Sequence, residues 1–316
     1  MQILVTGGTG FIGQHLVRRL ESEGHSVAVA TRSPARAAPR LGPNVTLIDI
    51  TQSSDFAESV GRADAVVNLA GESVVGGRWT ANRKRVLRDS RIQVTETLVQ
   101  AMRAAETPPE VLVSASAIGI YGDSGDQRCI EDTPPAADFL AQLCVDWEAA
   151  ALEALELGVR VVLPRIGVVL GPDGGALDKM LPAFRLGMGG VIGSGQQYFS
   201  WIHIEDMVRL LCHSVSDRKY RGPFNATAPH PVRNYEFTKT LGRVLKRPTA
   251  IPVPSFALKA ALGEASTTIL GGQRVFPEQV QAWGFEFNFP EVAQALSNVL
   301  ASSNLDSVRG APQSVS

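Results

Sequence analysis

"ILVTGGTGFIGQHL", residues 3–16, holds an apolar run, three glycines at Gly7, Gly10 and Gly13, and then the start of an amphipathic pattern that continues to about Ser22. The order reads as strand, tight turn, helix. Glycines at these positions let the backbone turn sharply and approach a pyrophosphate at the positive end of the helix. Thr9, Phe11 and Ile12 share that turn and are counted with the glycines as candidate cofactor contacts. Dinucleotide binding is the expectation; a glycine turn needed only for close packing is the alternative.

Outward from this stretch, β-branched runs alternate with helical patterns. "SVAVAT", "VTLIDI", "AVVNLAG", "VLVSAS" and "VVLPRIGVVLG" read as strands, with a long helix near 80–105 and another at "DFLAQLCVDWEAAA". Alternation at this spacing predicts a Rossmann-like α/β fold, a doubly wound parallel sheet. After Gly171 the chain becomes rich in Gly and Pro, turns strand-like again at "SWIHIED" and "GPFNATA", and is then mainly helical. A cofactor domain over 1–170 and 200–228 is expected, with a smaller, mainly helical substrate lobe over 171–199 and 229–302. The polar, aperiodic residues 303–316 read as a disordered tail.

The 316 residues carry a formal net charge of -1, which gives no reason to expect nucleic acid or an anionic membrane as partner. Cys129, Cys144 and Cys212 are far apart and lack CxxC spacing, so neither a disulfide framework nor a metal site is predicted. Strand-like sequence from Gln2 and the lack of a long uncharged apolar run point away from export or membrane insertion. A cytoplasmic protein acting on a small molecule is the resulting expectation.

The end of the second strand distinguishes NAD from NADP, because a carboxylate there pairs with a ribose 2′-hydroxyl and repels a 2′-phosphate. Here no Asp or Glu stands between Glu23 and Asp49, while Arg32, Arg36 and Arg40 do. Arg32, one residue past the strand, is expected to hold the 2′-phosphate of NADP(H). Asp49, ending the third strand, is placed to reach the adenine amino group.

With GGTGFIG at the start, "NLAGE" after the fourth strand, "SASAIGIYG" after the fifth and "PRIGVVLGP" after the sixth, the chain resembles the extended short-chain dehydrogenase/reductase superfamily over about residues 1–300. "NLAGESVVGGRWT", "KRVLRDSRIQVTETLV", "SWIHIEDM" and "GGQRVFPEQVQAWGFEF" narrow this to its atypical branch, labelled nucleoside-diphosphate-sugar epimerase or cell-division inhibitor. The resemblance adds Leu69, Ala70, Gly71, Glu72 and Arg165 to the cofactor contacts. It places Ser200, Trp201 and His203 on the substrate side, while Arg78, with Glu72 and Arg165 as alternatives, stands near the strand ends where it could hold a polar or anionic substrate.

In that superfamily a tyrosine four residues before a lysine moves the proton, and the lysine lowers the tyrosine pKa from about 10. Setting Glu148 on the glutamate that often follows the lysine by four puts Leu140 at the tyrosine position and Cys144 at the lysine position. Both titratable groups are gone. Leu140, Leu143, Cys144, Trp147 and Ala151 form one apolar stripe instead, with Gly158 as the stop. Tyr235 and Lys239 have the dyad spacing, but they fall in the lobe and are taken as coincidence. Ser116 and Tyr121, at a strand end, are the candidate protic groups.

These readings together predict an NADP(H)-binding epimerase/dehydratase-like oxidoreductase with a nonstandard proton-transfer group. A non-catalytic NADP(H)-binding regulator, for example one linked to cell division, is the alternative. A homodimer bundled through the two long helices and intramolecular packing of the same helices account equally for the apolar stripe.

Overall fold

The computed structural model describes residues 1–309. The chain begins with β1 (Gln2–Thr6), α1 (Phe11–Ser22), β2 (Ser26–Thr31), α2 (Pro34–Leu41), β3 (Thr46–Asp49), α3 (Ser53–Arg62) and β4 (Ala65–Asn68). Next come α4 (Ala81–Asp89), α5 (Ile92–Ala104), β5 (Val111–Ser114), β6 (Ser116–Ala117), β7 (Arg128–Cys129), α6 (Phe139–Leu152), β8 (Arg160–Ile166) and β9 (Val168–Leu170). The remainder comprises α7 (Gly175–Arg185), β10 (Tyr198–Phe199), β11 (Trp201–His203), α8 (Ile204–Ser216), β12 (Gly222–Ala226), β13 (Val232–Arg233) and α9 (Asn234–Leu245), then α10 (Ser255–Leu262), α11 (Thr267–Leu270), β14 (Arg274–Val275), α12 (Glu278–Ala282) and α13 (Val292–Arg309).

The central sheet runs β12-β8-β5-β4-β1-β2-β3, with the short β6 also beside β8. Its pairings are parallel throughout. Side chains alternate across a strand, and the two faces of the sheet bury different helices. Ile3, Val5, Val27, Val29, Val67 and Val113 pack with Leu16, Val17 and Leu20 of α1 and with Met207, Val208 and Leu211 of α8. Leu4, Ala30, Val66, Leu112 and Leu163 face Val60 of α3, Leu98, Val99 and Met102 of α5, and Ala151 of α6. Strands buried on both faces explain the near-continuous apolar runs. Truncating a residue such as Leu112 to Ala would cost about 2–5 kcal/mol.

A third core, holding Leu177, Leu181, Phe184, Trp201, Phe237, Leu241 and Leu296, joins α7, α9 and α13 beyond the sheet. β11 does not enter the central sheet; it pairs with β9 after the chain kinks at Gly167. Two expectations are corrected here. The long helix near 80–105 is two helices, α4 and α5, divided at Ser90 and Arg91. The chain also stays helical past 302, because α13 continues to Arg309; the rest of the expected tail, 310–316, lies outside the described residues. No helix of the described residues is long and apolar enough to cross a membrane.

Candidate cofactor and active site

The loop between β1 and α1 is built around two close approaches. Gly7 has φ of 69°, and a methyl there would lie 2.5 Å from the Leu69 carbonyl oxygen. A methyl on Gly13 would collide with the Gly7 carbonyl. α1 begins after Gly10 without a side-chain cap and without an acid in its first turn, so its N-terminal amides keep their positive potential. Gln14 Nε2 braces the loop by donating to the Thr9 carbonyl at 3.0 Å. The Phe11 ring packs away from the loop against Gly171, Gly174 and Gly175, while Ile12 rests on the core.

At the end of β2, Arg32 is exposed and pairs with no carboxylate among the described residues. Ser33 makes no side-chain bond as the N-cap of α2. Asp49 lies opposite Thr31 in register. Its Oδ1 accepts from Thr51 N at 2.9 Å and Thr51 Oγ1 at 2.7 Å, and these bonds hold the carboxyl below its ordinary pKa.

Beneath the loop lies a buried network centred on Asn68. Its Oδ1 accepts the Thr6 hydroxyl at 2.6 Å, and its Nδ2 donates to Thr95 Oγ1 at 2.9 Å and Ser114 Oγ at 3.1 Å. Thr95 also accepts from the Trp147 indole at 3.0 Å and donates to the Arg91 carbonyl at 2.8 Å. β1, β4, β5, α5 and α6 are thereby fixed to one another at the carboxyl ends of the strands. This network went unpredicted, although a polar residue ending the apolar run "AVVN" was a signal for it.

Ser116 and Tyr121 belong to a second buried network. Ser116 donates to Glu148 Oε1 at 2.6 Å, and Arg165 binds both oxygens of Glu148 at 2.9 Å. Arg165 Nη1 also donates to the Tyr121 hydroxyl at 3.0 Å, which in turn donates to Asn225 Oδ1 at 2.7 Å. Burial pushes the Tyr121 pKa up to about 12, against the opposing charge of Arg165. The phenol is therefore a poor proton acceptor near neutrality, and its proton is committed to Asn225. Arg165 was expected at the cofactor and Glu148 served only as a landmark; here they form an ion pair whose side chains are 9% and 10% exposed. Glu131, also unforeseen, accepts from Asn225 N at 2.9 Å, and burial raises its pKa.

α6 is capped by Asp138, which accepts from Ala141 N at 3.0 Å, and its helical turns end at Gly158 in the left-handed conformation. Leu140, at the tyrosine position, is half-buried near Gly119. Cys144, at the lysine position, is buried, and desolvation pushes its thiol up to about 12, with the charge of Glu148 adding to the shift. Leu140, Leu143 and Trp147 pack with Leu69, Trp79 and Phe139 and with Leu262 and Ala265 of the lobe.

The residues expected on the substrate side are not brought together. Arg78 donates to the carbonyls of Ala260 and Ala261 at the end of α10. Trp201 is fully buried in the third core, its indole donating to the His230 carbonyl at 3.2 Å. His203 caps α8 by accepting from Glu205 N through Nδ1 at 3.1 Å, and its Nε2 lies 3.2 Å from Asn298 Oδ1. Glu72 sits 3.5 Å from Arg83. Tyr235 and Lys239 lie on α9, with Lys239 Nζ bonded to Thr249. Among the described residues no group of His, Cys, Asp and Glu could hold a metal, and all three cysteines are free.

Residues 3–226 match the profile of the NAD dependent epimerase/dehydratase family, and residues 253–299 match a domain of unknown function, DUF1731. The chain is 45% identical over 303 residues to an Arabidopsis thaliana protein named "Epimerase family protein SDR39U1 homolog, chloroplastic", covering 95% of this chain and 87% of that one. Human epimerase family protein SDR39U1, crystallised with NADPH, superposes with a TM-score of 0.86 at 37% identity, over 95% of this chain and 99% of that one. A nucleoside-diphosphate sugar epimerase from Corynebacterium glutamicum gives a TM-score of 0.73 at 28% identity, over 98% of this chain and 66% of that one. With its glycine loop, parallel sheet and C-terminal lobe matched in order, the chain belongs to the NAD dependent epimerase/dehydratase family, within the extended short-chain dehydrogenase/reductase superfamily.

Proposed function

We propose that this protein binds NADP(H) at the β1–α1 loop and acts as an epimerase/dehydratase-like oxidoreductase on a small molecule. The observation that carries the reading is the loop itself: a methyl on Gly7 or Gly13 would strike backbone, and the first turn of α1 is uncapped. The residues fit a dinucleotide. Gly7, Thr9, Gly10, Phe11, Ile12 and Gly13 would hold the pyrophosphate through backbone, Arg32 with Ser33 the 2′-phosphate, Asp49 the adenine edge, and Leu69 to Glu72 the more distant half. Arg165 would act from behind, by fixing Glu148 and Tyr121. The bound cofactor supplies hydride transfer. Ser116 is the protic group of this chain best suited to the accompanying proton, with Glu148 behind it. The substrate would lie between strand ends and lobe, with Arg78 tying the end of α10 to that side and Trp201 and His203 acting from within the core that supports it, in a cofactor domain over 1–170 and 200–228 and a lobe over 171–199 and 229–302. Free cysteines fit a reducing, cytoplasmic setting.

One observation favours a second reading, a non-catalytic NADP(H)-binding regulator: both hydroxyls available to replace the lost dyad are bonded to protein groups, and the inner face of α6 is apolar. The deciding experiment follows NADPH oxidation across a broad panel of carbonyl compounds, beside a pull-down with and without NADPH. Turnover that Ser116→Ala abolishes supports the enzyme. No turnover, with a partner captured only in one cofactor state, establishes the regulator.

A further inference from the structure

Most of the cations along α4 have partners. Arg83 faces Glu72, Lys84 lies 2.7 Å from Glu264, Arg88 pairs with Asp146, and the exposed Arg85 donates to Asn82. Arg91 differs. It is partly buried, and no described carboxylate lies within ion-pair reach. Its guanidinium donates to neutral oxygens alone: the Leu87 carbonyl at 3.0 Å, the Glu72 carbonyl at 2.8 Å and Ser90 Oγ at 3.5 Å. The Cys144 thiol and the Glu72 carboxylate both act on it; the thiol is held neutral by burial and Glu72 is turned to Arg83, so Arg91, Arg83 and Glu72 sum to one net positive.

The position is also a poor one for stability. Arg91 is the N-cap of α5, whose first turn has no acid, so its charge adds to the positive end of a helix dipole. Burial lowers its pKa, the mark of a cation that gains too little from its surroundings. The bond to the Leu87 carbonyl at the end of α4 and the Trp147 ring face 5.2 Å away offset part of this cost, but neither carries a negative charge to neutralise the cation.

Its surroundings locate it within the site. A methyl on Gly71 would lie 3.1 Å from Arg91 Cζ, so the absent side chain at Gly71 admits the guanidinium against the backbone that follows β4. On the other side it lies 5.2 Å from the Trp147 ring of α6, and its charge is felt by Cys144, the residue at the lysine position. A cofactor held with its adenosine half over β2 and β3 and its pyrophosphate at α1 would direct its nicotinamide half towards β4, β5 and α6.

We propose that Arg91 is a specificity-determining residue for the redox state of the cofactor: its uncompensated charge disfavours the cationic ring of NADP⁺ relative to the neutral ring of NADPH. This rests on the NADP(H) reading above. Were the ring to lie about 10 Å from the guanidinium, a unit charge at an effective dielectric constant of about 20 would give a preference on the order of tenfold.

The test uses the full chain and three probes: NADPH, NADP⁺ and 2′,5′-ADP, which lacks the nicotinamide half. Wild type is expected to bind NADPH about tenfold more tightly than NADP⁺. Arg91→Lys keeps that ratio, and Arg91→Gln brings it towards one with 2′,5′-ADP affinity unchanged. A capping role for Arg91 would not move the ratio. Equal affinity of wild type for the two redox states, an Arg91→Gln protein that keeps the ratio, or a parallel loss of 2′,5′-ADP binding overturns the proposal. If Arg91→Gln does not fold, the ratios of wild type and Arg91→Lys decide, both being required to favour NADPH. Failure of wild type to bind any of the three overturns the cofactor reading itself.

Discussion

Ser116 donates a hydrogen bond from its hydroxyl to Glu148 Oε1 at 2.6 Å, across the gap between β6 and α6. The same carboxylate is gripped by Arg165 from β8, so Ser116, the proposed protic group, is tied to a buried ion pair.

Glu148→Ala should therefore destabilise the protein by about 3–5 kcal/mol, because it leaves a buried guanidinium without its counter-ion. Glu148→Gln, which retains an acceptor, should cost less. Urea denaturation checks both, and an Ala variant with the wild-type midpoint would show that the pair is not the anchor described.

Asn68→Leu, close in volume, removes the acceptor of the Thr6 hydroxyl and the donor to Ser114. Each buried polar group left unpaired costs about 1–3 kcal/mol, so a loss of about 2–4 kcal/mol is expected. The same variant should loosen the loop above it, seen as faster amide exchange at Gly7 and Ala70.

His203 gives a pH dependence whose sign follows from its bonds. Burial lowers its pKa from the ordinary 6.5, and its Nδ1 must stay unprotonated to accept from Glu205 N. Below about 6.5 the unfolded chain binds a proton that the folded ring resists, so stability falls as the pH drops through that window. Melting temperature measured from pH 7.5 to 5 should decline less steeply in His203→Gln than in wild type; identical slopes would remove His203 from the account.

The opening of the fold was legible because glycine spacing, an apolar strand and a helical period agree over residues 2–22, and the structure places α1 at Phe11–Ser22 as read. The division between α4 and α5 was not. Neither Ser90 nor Arg91 is a helix breaker; the break is made by tertiary bonds, Ser90 Oγ accepting from Glu72 N and Arg91 reaching the Glu72 carbonyl. In the sequence Arg91 looks like one more solvated cation in a basic run. Ser116 and Tyr121 could be found from their strand end, whereas their partners Glu148, Arg165 and Asn225 come from three separate elements. Trp201 was assigned to the substrate side from a motif, and its place in the third core depends on β11 leaving the main sheet, which no local pattern announces.

The central claim is an NADP(H) site at the glycine loop read by Arg32, and calorimetric titration of wild type and Arg32→Ala with NADPH and NADH tests it most directly. The account predicts tighter binding of NADPH by wild type and a loss of about 10- to 100-fold on Arg32→Ala, the worth of one charge-assisted contact to phosphate, with NADH little changed. Tighter binding of NADH, or an unchanged NADPH affinity in Arg32→Ala, would contradict it.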